Sequence, residues 1–300
     1  MTTELNYKKI RDQLSPELEK SFFNRNPLLG YFTWLVFISY WVIYYFAMNE
    51  TIPLLLAAIV LGIIAEFLSM ANHDILHGSV FKTRWVYLPL TVCISTLTLI
   101  SPDFWRFWHD FHHKSVDRWT SAQKPYEMGY ETNGYPALRK LIGPLELLFY
   151  KVIHLTKTQI KFIFDRRYKS EKNIQLKIQT AWQFTIIFSV KIILFWILPF
   201  KQWLFLELGA LFVQNLISNV FLVTQHAVNL KKNDTVQTFS LRFPKWFNIY
   251  SLYLGHHVEH HLFPNLPSHK LPEIRKLMKI HYPQFECVEY DVVDALKKIY

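Results

Sequence analysis

Four long apolar runs set the frame of this chain. Leu28–Met48 is broken only by neutral Gly, Thr and Ser. Ile52–Ala71 carries one charge, Glu66; Thr180–Phe200 carries Lys191; Trp203–Thr224 carries Glu207. Each run is close to the roughly 20 residues a helix needs to cross a bilayer. The links Asn49–Thr51 and Lys201–Gln202 are so short that the runs pair as two tight hairpins. Four buried helices of a water-soluble protein are a poorer reading of that pairing. A fifth apolar stretch, Trp85–Ile100, is short for a span and contains Pro89, which suits an interfacial or re-entrant helix. Pro136–Phe164 mixes apolar residues (Leu145, Leu148, Phe149, Val152, Ile153) with Lys151, Lys157 and Lys161 at helical spacing. That pattern fits a helix lying on the membrane surface or covering the cytoplasmic core.

The predicted fold is therefore all-α: an integral, multi-pass membrane protein with four spans in two hairpins plus a cytoplasmic helical cap that carries the chain's histidine-rich strings. Residues 1–27 form a polar arm, and residues 28–300 form one domain with spans near 28–48, 52–71, 180–200 and 203–224. A composition 51% hydrophobic and 17% aromatic agrees. Met1–Pro27 is too polar and charged for a secretory leader.

Basic residues orient the spans. The two tight turns hold only Lys201, whereas the arm holds Lys8, Lys9, Arg11, Lys20 and Arg25. The segment between the hairpins is basic from Arg139 to Lys177, and the tail adds Lys270, Arg275, Lys276 and Lys279. Both termini are expected in the cytoplasm. The formal charge of +10 then reads as this asymmetry plus attraction to anionic headgroups, with no sign of a nucleic-acid partner. Cys93 lies in an apolar stretch and Cys287 in the tail, with no spacing for a disulfide or a thiolate site.

Chemistry enters with three strings, His73-Asp-Ile-Leu-His77, His109-Asp-Phe-His-His113 and His257-Val-Glu-His-His261. Positions i, i+3 and i+4 share a helix face, so each string presents its imidazoles together. With 13 His in 300 residues, one chance H-x-x-H-H is expected roughly 0.02 times, and this chain has two. If Trp85–Ile100 does not span, all eight histidines fall on the cytoplasmic side. His226, at the cytoplasmic end of the fourth run, is a ninth candidate ligand, with a lone interfacial histidine as the lesser alternative. Nine imidazoles exceed what one ion binds, so two metals are implied. Asp74, Asp110 and Glu259 are placed to accept the second ring N–H of a ligating histidine. Zinc suits imidazole but has no redox chemistry. An oxygen-activating di-iron centre is the better reading beside a membrane.

Taken with the closing string His260-His-Leu-Phe-Pro-Asn-Leu-Pro-Ser-His-Lys-Leu-Pro272, these boxes and spans resemble the membrane fatty acid desaturase superfamily, from about Leu54 to Tyr282. The resemblance implies a histidine-ligated pair of irons that uses molecular oxygen and two electrons to remove two hydrogens from a lipid acyl chain. It implies His73, His77, His109, His112, His113, His257, His260 and His261 as ligands, and His226 as the further histidine preceding the third box. Where acyl-CoA desaturases place an asparagine four residues earlier, this chain has Leu222, so Asn229 or Asn72 would have to substitute. His257 is preferred over its neighbour His256, and His154, His269 and His281 read as surface residues. With no haem-binding or flavin-binding segment legible, electrons are expected from a ferredoxin or a b-type cytochrome.

Hydroxylases, carotenoid ketolases and alkane monooxygenases share the same boxes, and hydroxylation or ketolation is the alternative to desaturation. His260–Pro264 and Leu271–Arg275 are closer to acyl desaturases. A metal transporter is a third class, but Glu66, Lys191 and Glu207 are few and scattered along the spans.

Overall fold

The computed structural model describes residues 7–116, 155–166, 169–226, 239–283 and 289–299. The first apolar run becomes α2 (Pro27–Met48), preceded by a short α1 (Tyr7–Leu14). Pro27 occupies the first turn, where a missing N–H costs nothing, and the Asn26 side chain accepts from Leu29 N. The second run becomes α3 (Leu54–Leu76), which stops at His77 and Gly78. Gly78 has φ +78°, the left-handed conformation that ends helices and that glycine adopts without strain. α4 (Arg84–Thr98) and α5 (Pro102–Val116) follow, bent 85° from one another. Such a pair is a broken span or a re-entrant loop. Gln159, fully buried, clamps the break: its Oε1 accepts from Ser101 N at 2.7 Å and from Ser101 Oγ at 2.5 Å.

The second hairpin is α6 (Glu171–Ile197) and α7 (Phe200–His226). Among the described residues, Lys20–Met48, Leu54–Leu76 and Glu171–Ile197 are each long and apolar enough to cross a membrane. α7 has 27 residues, about 40 Å of helix. α3 is the central element. Ala57, Ala58, Leu61, Ala65 and Leu68 are buried there with Leu206 and Ala210 of α7 and Tyr40 and Tyr44 of α2. Gly62 lets α3 and α7 touch, since a Cβ there would stand 2.6 Å from the Ala210 carbonyl oxygen. The outer faces stay apolar: Leu35, Ile38, Tyr45, Ile193, Trp196 and Ile197 are all exposed, as lipid-facing residues would be. Gln202 donates from one hairpin turn to Glu50 in the other at 2.9 Å, so both turns lie at one end of the molecule.

Two expectations change, and a third is only partly covered by the described residues. The chain is not wholly helical: β1 (Ser240–Arg242) and β2 (Glu289–Asp291) pair in parallel, with Ser240 opposite Glu289. Lys191 and Glu207 are not scattered but form an ion pair between α6 and α7. Of the surface helix expected over Pro136–Phe164, residues 136–154 lie outside the described residues, while 155–164 are helical and amphipathic, with Leu155 and Phe162 buried and Phe164 exposed. Beyond β1 come α8 (Lys245–Tyr250), α9 (His257–Leu262), α10 (Leu271–His281) and α11 (Val292–Ile299). Ile10, Leu14 and Leu18 of the N-terminal arm share one core with Val258, Leu262, Ile274 and Met278. The arm also reaches the end of α3, where Arg25 Nε donates to Gly78 O at 3.1 Å.

Candidate metal centre

Each histidine string sits where a helix delivers it inward. His73 lies on the last turn of α3 and His77 caps it; α5 carries His109, His112 and His113; α9 carries His257, His260 and His261. These eight histidines, up to 188 residues apart in sequence (His73 to His261), converge as two groups. His73, His77, His109, His113 and His260 form one; His112, His257 and His261 form the other. Within each group the candidate ligand atoms all lie within 4.8 Å of one another.

The closest approaches are between ring nitrogens. His113 Nε2 stands 3.0 Å from His109 Nε2 and 3.1 Å from His260 Nε2. His261 Nε2 stands 3.2 Å from both His112 Nε2 and His257 Nε2. A neutral imidazole nitrogen either donates one proton or accepts, so hydrogen bonds alone leave one pairing in such a triad poorly served. A cation seated in each triad would resolve both. Metal–imidazole bonds of about 2.0–2.1 Å set at right angles put neighbouring nitrogens about 3 Å apart. His77 Nε2 adds a buried ring nitrogen with no hydrogen-bond partner among the described residues.

Electrostatics points the same way. Burial, with neighbouring histidines reinforcing it, holds His77, His109, His260 and His261 well below the ordinary imidazole pKa. They are neutral at pH 7, the form whose lone pair binds metal. The donor set thus fits one or two borderline ions such as iron or zinc. Trp105 stacks on His109, with ring centroids 4.3 Å apart, and also lies edge-on to His73, so one wall of the larger group is aromatic.

The three box carboxylates divide. Asp74 behaves as the spacing suggested: Oδ1 lies 3.4 Å from His73 Nδ1, and Oδ2 accepts from the Ser268 N–H at 3.2 Å and the Ser268 hydroxyl at 2.5 Å. Asp110 is exposed, because its position on α5 faces away from the cluster, and cannot serve as the expected acceptor. Glu259 is fully buried but turns away from its own histidines toward Arg275 and Ser240. Ser268, Ser240 and Arg275 were not anticipated. Arg275 had a readable signal, because it shares a helix face with Leu271, Ile274 and Met278, all buried.

His226 ends α7, and the adjoining Gln225 anchors that end beside the third box through its carbonyl to Phe239 N and its Nε2 to Leu254 O. His256 precedes α9, stacks on Tyr253 and belongs to neither group, whereas His257 lies in the smaller one. Burial, aided by nearby Arg275, lowers the His256 pKa to about 4. His269 and His281 are exposed, and His281 pairs with Glu17 of the arm at 3.0 Å. His154, Asn229 and Cys287 lie outside the described residues. Asn72 Oδ1 is buried with no hydrogen-bond partner among the described residues.

A bundle of membrane-length helices that gathers eight histidines at one end is a helical membrane protein with a histidine cluster suited to metal. The chain belongs to the fatty acid desaturase family, whose pattern matches residues 49–291. It is 24% identical over 216 residues to the chloroplastic omega-6 fatty acid desaturase of Spinacia oleracea, covering 67% of this chain and 47% of that one. It is 23% identical over 277 residues to the acyl-lipid (9-3)-desaturase of Physcomitrium patens, covering 81% and 51%. Glycine max has a chloroplastic omega-6 desaturase 24% identical over 233 residues, covering 71% and 53%. The chain thus spans about half the length of these curated relatives. The family comprises oxidoreductases of lipid metabolism that act on acyl chains in membranes.

Proposed function

We propose that this chain is an oxygen-dependent di-iron desaturase that introduces a double bond into a fatty acyl chain. The carrying observation is the pair of adjoining Nε2 triads in a member of this family. In this reading His73, His77, His109, His113 and His260 hold one iron. His112, His257 and His261 hold the other, with His226 as its fourth nitrogen donor. Bound iron supplies the oxidising power: one O2, two electrons and two protons, with two hydrogens taken from neighbouring methylenes, leave an alkene and two waters.

The protein's own part is placement. Neutral, buried histidines keep their lone pairs inward, and Asp74 holds His73 in orientation through the Nδ1 contact. Trp105 shields the larger group on one side. The acyl chain enters between the spans, and the basic stretch Lys157–Lys177 attracts an anionic carrier such as a phospholipid or coenzyme A headgroup. Four spans with both termini and the histidines in the cytoplasm fit the basic residues and the common end of the two hairpin turns. Electrons then arrive at the cytoplasmic face from a separate carrier, a ferredoxin or a b-type cytochrome.

The test is lipid mass spectrometry of cells expressing the chain under isotopically labelled oxygen gas. The expected result is new unsaturation with no label in the lipid. Labelled oxygen in the main product without new double bonds would put hydroxylation or ketolation in its place.

A further inference from the structure

Behind the third box lies a buried charge cluster that the chemistry above does not use. Glu259, fully buried in α9, pairs with Arg275 Nε of α10. Its other oxygen accepts from Ser240 Oγ at 2.7 Å. The same serine oxygen accepts from the Val258 backbone N–H at 3.0 Å. Arg275 continues outward, with Nη1 2.9 Å from Glu289 Oε2, and Lys279 stands 3.4 Å from that oxygen. Ser240 and Glu289 are register partners across the two-stranded sheet. The sheet therefore holds both ends of one chain of contacts: Ser240 on Glu259, Glu289 on Arg275.

The helix this cluster grips is weak by itself. α9 has six residues, three of them histidines of the box. A helix that short has no stability of its own in isolation, and its first N–H groups have no intrahelical partner. Its place must come from outside. Apolar contacts on one side, Val258 and Leu262, fasten it to α1 and α10. A charged pair with a hydroxyl strut determines direction as well as depth. Burying an arginine and a glutamate is a poor way to gain stability alone, because desolvation offsets the attraction, which points to a role in geometry.

We infer that Arg275 and Ser240 are positioning residues for the smaller metal group, acting through Glu259 on the setting of α9. The inference rests on the two-metal reading above. Its consequence is asymmetric: α9 supplies two of the three histidines in the smaller group but only one of the five in the larger. Loosening α9 should empty the smaller group first.

The experiment uses the full chain purified in detergent and loaded anaerobically with ferrous iron. Iron per chain is measured by mass spectrometry and the iron environments by Mössbauer spectroscopy, with helicity and melting followed alongside. Wild type should hold two irons. The double variant Glu259→Gln/Arg275→Met removes both charges, leaving no uncompensated ion, and should stay folded while falling to about one iron with loss of one spectral component. Ser240→Ala, which deletes a single hydroxyl, should weaken the second iron about tenfold. A folded double variant with two irons and the wild-type spectrum overturns the inference. Should the double variant fail to fold, Ser240→Ala decides: unchanged affinity for the second iron overturns the inference as well. Wild type holding one metal would instead defeat the two-metal reading itself.

Discussion

The larger and smaller histidine groups differ in how much of the fold supports them. The five-histidine group draws on all three boxes, with two donors from α3, two from α5 and one from α9. α3 is packed along its length against α2 and α7, so two of those donors rest on a long helix held by both hairpins. The three-histidine group takes one donor from α5 and two from a six-residue helix held by neighbours. Equal-looking motifs in sequence thus produce unequal sites. One is built into the bundle, while the other rests largely on the six-residue α9.

The largest expected effect comes from cutting the better-supported group. His109→Ala should reduce desaturation more than about a hundredfold, beyond the 10–100-fold typical of outer partners of metal ligands. Helix content should be unchanged, because the box lies at the end of the bundle. Product analysis with circular dichroism checks both, and retained activity would break the assignment. His226→Ala sharpens the contrast: iron should fall from two to about one per chain, with the five-histidine component intact in the Mössbauer spectrum.

Asp74→Asn comes next. Asn keeps the size but loses the charge that faces His73 Nδ1 and accepts from Ser268. Iron affinity at the five-histidine group should fall about tenfold, with the smaller group untouched. Equal losses at both groups would count against this placement.

A milder effect is expected with pH in the metal-free protein. Burial lowers the pKa of His77, His109, His260 and His261, whereas the unfolded chain titrates near the ordinary value of about 6.5. Below that value the unfolded state binds more protons, so stability is full above pH 6.5 and is lost progressively as pH falls toward the lowered values. Melting temperature should be level from pH 8 to 7 and decline below about 6.5. A rise on acidification would contradict neutral burial of these rings.

Much of this was legible from the chain alone, and the gaps have physical causes. The four apolar runs foretold α2, α3, α6 and α7 because lipid-length helices are written as continuous hydrophobic segments, although α3 runs on to Leu76 and α6 starts early at Glu171. Pro89 and the short length of Trp85–Ile100 suggested an interfacial or re-entrant helix; α4 is followed by an 85° bend into α5, the form of either a broken span or a re-entrant loop. That the box histidines share helix faces was legible because i, i+3, i+4 spacing is local. Their division into five and three was not legible, since it depends on contacts such as His112 to His261 across 149 residues. The outer partners failed for the same reason. Asp110 looked equivalent to Asp74, but its position on α5 faces outward, and Ser268 reaches Asp74 across 194 residues. Three-residue strands such as β1 and β2 carry too little alternation to be read at all.

The central claim is that the two groups are separate seats for two irons, and counting metal tests it most directly. Wild-type protein, purified and loaded with ferrous iron, should hold two irons per chain, while His112→Ala should hold one and keep the five-histidine spectrum. One zinc per chain in the wild type, or loss of both irons together in His112→Ala without unfolding, would contradict it.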